Sequence, residues 1–302
     1  MAILDLLFRG EPKIMDAAAR TGVAGSFATV SDGVVHYELS GPPDGQPVVL
    51  IHGFSTPYFI WDPTFPALVS AGLRVLRYDL FGRGYSDRPD TRYDMGLYLR
   101  QLSGLLDVLG IQRPADLAGL SMGGAIAVAF TDRYPDRVRR LCLVDPAGLP
   151  MKMPLIGRLV QALVLGDILF GLFGGRFFLS GQARDFYRVP ADFADFQARY
   201  QVQMQYRGFR RALLSTIRHG AVDDRSAEYA AVGLQDRPKL LIMGRNDRTV
   251  PFETHERILE LMPGIQFQAI PEAGHLPHYE RPEVVNPLLL CFLTEPECAG
   301  LA

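Results

Sequence analysis

The run Ala115-Asp116-Leu117-Ala118-Gly119-Leu120-Ser121-Met122-Gly123-Gly124-Ala125-Ile126-Ala127-Val128-Ala129 passes from a short apolar strand pattern, through a tight turn, into a stretch of small residues suited to a helix. Within it, Gly119-Leu120-Ser121-Met122-Gly123 is a G-x-S-x-G turn, which lifts one serine out of the chain on a sharp, strained elbow. Glycines flank the serine because larger side chains would collide with the neighbouring strand and helix. Five residues with two glycines recur by chance, so the surrounding chain has to carry the reading.

Working outward, apolar strand patterns occur at Phe27–Val30, Val34–Leu39, Val48–Ile51, Arg74–Tyr78, Ala115–Ala118, Leu141–Val144, Lys239–Met243 and Gln266–Ile270. Helical patterns fall between them, near 63–71, 94–109, 123–134, 252–262 and 283–293. Strands alternating with helices predict an α/β fold, a mostly parallel eight-stranded sheet covered on both faces. In such sheets reactive groups gather outside the carboxyl ends of the strands.

The alternation stops near residue 148 and resumes near 237, which predicts a helical cap over 148–236. The core then comprises 27–147 and 237–302, with a helical extension over 1–26. Leu155–Leu179 holds only three charged residues, Arg158, Asp167 and Arg176. Those charges and the glycines at 166, 171, 174 and 175 argue against a bilayer span. Phe196, Tyr200, Met204, Phe209, Leu213 and Ile217 recur at helical spacing against Arg199, Arg207, Arg210 and Arg211.

Of the 302 residues 48% are apolar and 21% charged, and the net charge is -2. That balance describes a globular chain and excludes the basic stripe expected of a nucleic-acid partner. Cys142, Cys291 and Cys298 are odd in number and widely spaced, so neither a disulfide framework nor a metal site follows from them. The expected compartment is reducing and cytoplasmic. The segment Met1–Arg9 is apolar but lacks a basic leader pattern and is too short to span a bilayer. It leaves peripheral membrane or lipid-droplet contact, through residues 1–9 or the cap, as an open expectation.

A serine hydroxyl needs an adjacent base to act as a nucleophile at neutral pH. His275 lies in Pro271-Glu272-Ala273-Gly274-His275-Leu276-Pro277, just after the last strand, where it can reach a serine at the same sheet edge. Asp247, in Gly244-Arg245-Asn246-Asp247-Arg248-Thr249-Val250-Pro251, can fix the ring's tautomer. Asp145, which also ends a strand, competes for that role, and His278 competes with His275. His52-Gly53-Phe54-Ser55 follows the strand ending at Ile51, where the Phe54 N–H can face a substrate oxygen together with the Met122 N–H at the start of a helix. His52 is expected to support that turn. Arg83 and Asp87 are expected to anchor the loop Asp79–Asp87, and Trp61 and His278 to pack. Ser55 and the apolar residues Leu163, Phe170, Phe173 and Phe177 are candidates for contact with substrate.

With these motifs in place the chain resembles the α/β-hydrolase superfamily, in its cap-bearing serine esterase, lipase and C–C hydrolase branch. The resemblance covers about 27–147 and 237–293. It rests on His52-Gly53-Phe54, Asp79-Leu80-Phe81-Gly82-Arg83-Gly84-Tyr85-Ser86-Asp87, Gly119–Gly124, Asp247, and Gly274-His275 followed by Glu280-Arg281-Pro282, all in family order. It implies Ser121 as nucleophile, His275 as base, Asp247 as acid, Phe54 and Met122 as oxyanion donors, and no metal or organic cofactor.

The activity it implies is hydrolysis of carboxylic esters with apolar acyl or alcohol groups, as in a carboxylesterase or monoacylglycerol lipase, so the expected partner is a small-molecule ester. C–C bond (meta-cleavage product) hydrolysis is the alternative. Relatives with that activity commonly carry a Gly-Gly-Pro-Gly-like segment where this chain reads Gly53-Phe54-Ser55-Thr56-Pro57. A receptor that binds ligand without turnover is a further alternative on the same fold. Ser121 argues against the relatives that use aspartate as nucleophile.

Overall fold

The computed structural model describes residues 10–150, 165–220 and 223–295. Eight strands form one sheet: β1 (Ser26–Val30), β2 (Gly33–Ser40), β3 (Pro47–Ile51), β4 (Arg74–Tyr78), β5 (Ala115–Leu120), β6 (Val138–Val144), β7 (Lys239–Gly244) and β8 (Gln266–Ile270), in the spatial order β1-β2-β4-β3-β5-β6-β7-β8. β1 and β2 form an antiparallel hairpin, β2 meets β4 antiparallel, and every pairing from β4 to β8 is parallel. The central strands are buried on both faces, which is why β3, β5 and β7 read as continuous apolar runs and not as alternating ones.

Alternate residues serve opposite layers. Val49, Ile51 and Leu117 pack with α2 (Met95–Val108) and α3 (Met122–Arg133) on one face. Val48, Leu50, Ala118 and Leu120 pack on the other with α1 (Phe65–Ser70) and the long C-terminal helix Pro282–Thr294. Asp94 begins α2 as its N-cap, its carboxylate accepting from Leu97 N at 2.9 Å.

Between β6 and β7 the described chain is helical: α4 (Leu165–Gly181), a short turn Gln182–Arg184, α5 (Phe193–Met204), α6 (Phe209–Arg218) and α7 (Ser226–Gly233). Phe170, Phe196, Tyr200, Phe209 and Leu213 from this insert join the apolar cluster on the second face of the sheet. The extension expected to be helical over 1–26 is only one helical turn, Ala17–Arg20, within 10–26; its residues 1–9 lie outside the described part. What holds the extension is a buried carboxylate: Glu11 accepts from Gly208 N at 2.7 Å and Arg210 N at 2.9 Å, capping α6, and pairs with the Arg210 guanidinium at 3.1 Å. Cys142 is free and buried, whereas Cys291 is disulfide-bonded, which corrects the expectation drawn from cysteine spacing. Among the described residues no helix is long and apolar enough to cross a membrane.

The sheet and α3 meet closest at the turn between β5 and α3. A Cβ at Gly123 would lie 2.3 Å from Ile51 O, and one at Gly119 would lie 2.3 Å from Gly123 O. Both contacts are with backbone, which cannot swing aside. Gly123→Ala is therefore expected to destabilise the fold by about 3 kcal/mol or more, by strain at a close backbone approach. Thermal denaturation should show a fall in Tm of about 6–12 °C; a melting curve identical to the parent would show that α3 can move off the sheet at little cost.

Candidate active site

The carboxyl edge of the parallel strands collects the expected residues. Ser121 follows β5 with φ 54° and ψ −120°, a conformation that a side chain adopts only when its surroundings hold it there. Its N–H donates to Val144 O at 2.9 Å, and its carbonyl accepts from Gly124 N, Ala125 N and Ala147 N. Those bonds tie the elbow to β6 and to the first turn of α3.

Asp247 follows β7, and its Oδ1 accepts from Thr249 N at 2.7 Å and Val250 N at 3.0 Å. Its Oδ2 accepts from Nδ1 of His275 at 2.7 Å. Nε2 is thus the ring nitrogen left for the cavity that Ser121 and His275 both line. The Ser121 hydroxyl makes no hydrogen bond to a described residue; serine–imidazole contacts commonly tighten only once substrate is bound.

Burial works to lower the His275 pKa, but the charge and hydrogen bond of Asp247, with Asp185 and Glu280 further off, outweigh it and leave it raised above 6.5. Asp247, and not Asp145, touches the ring. Asp145 is wholly buried behind it; burial first, and the Asp247 charge second, push its carboxyl well above the usual range. His278 is buried against Trp61, with ring centroids 4.2 Å apart, and meets Ile60 O at 3.1 Å; burial lowers its pKa to about 3. It is a packing residue. Asp145, Asp247 and His275 bring a polar atom each within 4.8 Å of one another, and the 2.7 Å contact between Asp247 and the ring is a hydrogen bond.

The turn after β3 is held from behind. His52, fully buried, accepts from Leu80 N at 2.9 Å through Nε2 and donates from Nδ1 to Gly53 O at 2.8 Å, while burial depresses its pKa to about 4. Arg83, also fully buried, donates to Phe54 O at 2.8 Å, to Tyr98 Oη at 2.7 Å and to Thr216 Oγ1 at 3.0 Å. Gln203 from α5 donates to Ser55 O at 2.9 Å and accepts from Gly84 N at 2.9 Å. Asp79 anchors the start of the same loop, meeting His36 at 2.7 Å and Tyr58 N at 2.8 Å, and Asp87 accepts from Val34 N at 2.7 Å. With both carbonyls pinned, the Phe54 N–H is fixed in direction. Neither it nor the Met122 N–H donates to a described group.

Gly53, Phe54, Ser55, Leu120, Phe178 and Leu276 line one side of a cavity of about 330 Å³ at Ser121 and His275. Gln182, Arg184 and Asp185 from the insert, with Arg248 and Thr249, complete it. Ser55 is where the sequence reading placed it. Phe170 is not: it is buried under the wall, its ring 5.5 Å from that of Phe178, which takes the lining position. A helix with only Asp167 and Arg176 charged has too little polar pattern to choose between the two. Leu163 and the Phe173 and Phe177 side chains lie outside the described part.

Sequence reasoning missed the residues joining the insert to the base. Asp185 O accepts from His275 N at 2.7 Å, and Glu280 accepts from Gly274 N and Tyr187 N, each at 2.7 Å. The Glu280-Arg281-Pro282 motif was the available signal for the second of these.

A family model described as the alpha/beta hydrolase family matches residues 48–288. A 2-hydroxymuconate semialdehyde hydrolase of Pseudomonas putida is 30% identical over 257 residues, covering 84% of this chain and 89% of the relative. A carboxylesterase of Bacillus subtilis is 28% identical, covering 91% of this chain and 88% of the relative. A meta-cleavage product hydrolase of Pseudomonas fluorescens superposes with a TM-score of 0.74 at 26% identity, covering 90% of this chain and 98% of that one.

The histidines give a direct check on this electrostatic picture. Titration followed by imidazole NMR should place His275 above 6.5, with His52 near 4 and His278 near 3. A His275 that titrates below 6.5 would mean that burial outweighs its carboxylate partners.

Proposed function

The chain belongs to the alpha/beta hydrolase family, and on that footing we propose that it cleaves small carboxylic esters through an acyl-enzyme on Ser121. The observation that carries this reading is the Asp247–His275 hydrogen bond at 2.7 Å beside a cavity that also presents Ser121 and the oxyanion turn. His275 Nε2 takes the Ser121 proton as the hydroxyl attacks the carbonyl carbon. The Phe54 and Met122 N–H groups receive the oxyanion, each worth about 3–4 kcal/mol to the transition state. The imidazolium, oriented by Asp247, protonates the leaving alcohol, and the same ring then activates the water that releases the acid.

The cavity volume favours small substrates, near the lower end for ligand pockets, and Phe54, Leu120, Phe178 and Leu276 supply an apolar side for the acyl or alcohol part. We place the helices between β6 and β7 as the cap that closes this cavity.

A second reading is favoured by the relatives. Several are named as hydrolases of 2-hydroxymuconate semialdehyde or 2-hydroxy-6-oxo dienoates, which are cleaved at a C–C bond. The same serine, base and oxyanion groups would serve. The segment Gly53-Phe54-Ser55-Thr56-Pro57 is the local feature that favours ester cleavage.

The two separate on substrate. Short-chain p-nitrophenyl esters and a 2-hydroxy-6-oxo dienoate are offered to the same protein, and kcat/KM is measured for each. Ester cleavage predicts the larger value for the esters, falling as the acyl chain outgrows the cavity; faster cleavage of the dienoate would transfer the assignment to C–C hydrolysis. Ser121→Ala should abolish turnover of whichever substrate is preferred. Asp247→Asn should lower kcat by about 10⁴-fold with the far-UV circular dichroism unchanged, the cost of a mis-set tautomer. Stoichiometric binding with no turnover of either class would point to a receptor.

A further inference from the structure

Asp145 is a buried carboxyl to which the acyl-transfer steps assign no task. It ends β6 in the left-handed region, with φ 40°, and is wholly shielded from solvent. Gly244 N donates to its Oδ1 at 3.0 Å, and Oδ2 is buried with no hydrogen-bond partner among the described residues. The side chain shares a cluster with Asp247 and His275 in which a polar atom of each lies within 4.8 Å of the others.

Two ionised carboxylates offer only acceptors, so a hydrogen bond between them requires one shared proton. Its position follows from the donors each side receives. Asp247 accepts from three donors, Thr249 N, Val250 N and His275 Nδ1. Asp145 receives one backbone donor, in a setting that water does not reach. Ionising it would place a second charge beside Asp247 with no cation against it.

We propose that Asp145 is an un-ionised carboxylic acid whose Oδ2–H donates to Asp247, so that acid, carboxylate and imidazole form one hydrogen-bonded series ending at the cavity. This makes Asp145 a positioning residue: it acts on His275 through Asp247. It holds the Asp247 carboxyl from the side opposite the ring and draws off part of its charge, which limits how far the imidazole pKa rises. Ionisable groups facing the series from other positions include Glu280 after β8, Asp185 from the insert and His278, whose own pKa burial lowers to about 3. The two carboxyls are held by neighbours other than Asp145: Glu280 by Gly274 N and Tyr187 N, Asp185 by Thr249 Oγ1.

The kinetic part of the test rests on His275 being the base; the spectroscopic part does not. Infrared difference spectra of the resting protein at pH 7 should contain the carbonyl stretch of a buried, un-ionised carboxyl, sensitive to deuterium exchange and missing from Asp145→Asn. Its absence from the parent overturns the proposal, whatever the substrate proves to be. In kinetics, Asp145→Asn keeps a donor to Asp247 while removing the acid. It should lower kcat by about 3- to 10-fold, since an amide is the weaker donor to a carboxylate, and leave the acidic limb of kcat/KM in place.

If Asp145 were ionised, the same change would delete a negative charge beside the imidazole and move that limb down by about one unit or more. Asp145→Leu removes the donor altogether, so Asp247 keeps its full charge and the limb should move up. A folded Leu variant with its limb at the parental pH would reduce Asp145 to packing. Should that variant fail to fold, the Asn variant and the infrared band still decide.

Discussion

Ser121 can stand where it does only because α3 runs against the sheet at backbone distance. Gly119 and Gly123 permit that approach, and Ser121 N–H and C=O are both bonded into β6 and α3. The strained φ of 54° is therefore over-determined by its neighbours. The same geometry starts a helix immediately after the serine, leaving the Met122 N–H without an intrahelical partner. The strained serine and the free N–H at the helix start are thus two results of one packing constraint.

The remaining groups are fixed by polar contacts that cross between layers. Arg83 reaches from the β4 loop to the Phe54 carbonyl, to Tyr98 on α2 and to Thr216 on α6. Gln203 joins the Ser55 carbonyl to Gly84, and Asp185 and Glu280 join the His275 loop to the chain after α4. The insert consequently holds both the turn after β3 and the His275 loop, besides lining the cavity. A change in its packing would be felt as altered geometry at Ser121 and His275, not only as altered access.

Histidines at this edge take different charge states from different surroundings. For His52 and His278 desolvation outweighs every other influence and keeps both neutral. His275 is as deeply buried but faces Asp247, whose charge outweighs desolvation. A ring that gains a proton easily yet stays neutral above its raised pKa is what a general base at near-neutral pH requires. Burial likewise makes Asp145, next to Asp247, costly to ionise.

Much of this was legible in the chain itself. The eight strands and the turns after β3, β5, β7 and β8 could be read from residue order because a parallel sheet buried on both faces demands apolar runs, and sharp turns demand glycine. Those local demands brought Ser121, His275, Asp247 and the Phe54 turn to one edge without coordinates. What residue order could not supply was phase and long-range pairing. Phe178 and not Phe170 lines the cavity, and α4, with only Asp167 and Arg176 charged, has too little polar pattern to show which. Glu11 caps a helix nearly two hundred positions away, and Asp145 backs Asp247 without touching the ring. Each depends on which distant backbone groups meet across layers, and only the folded chain decides that: a buried charge is tolerated wherever donors happen to converge, and no local pattern announces where.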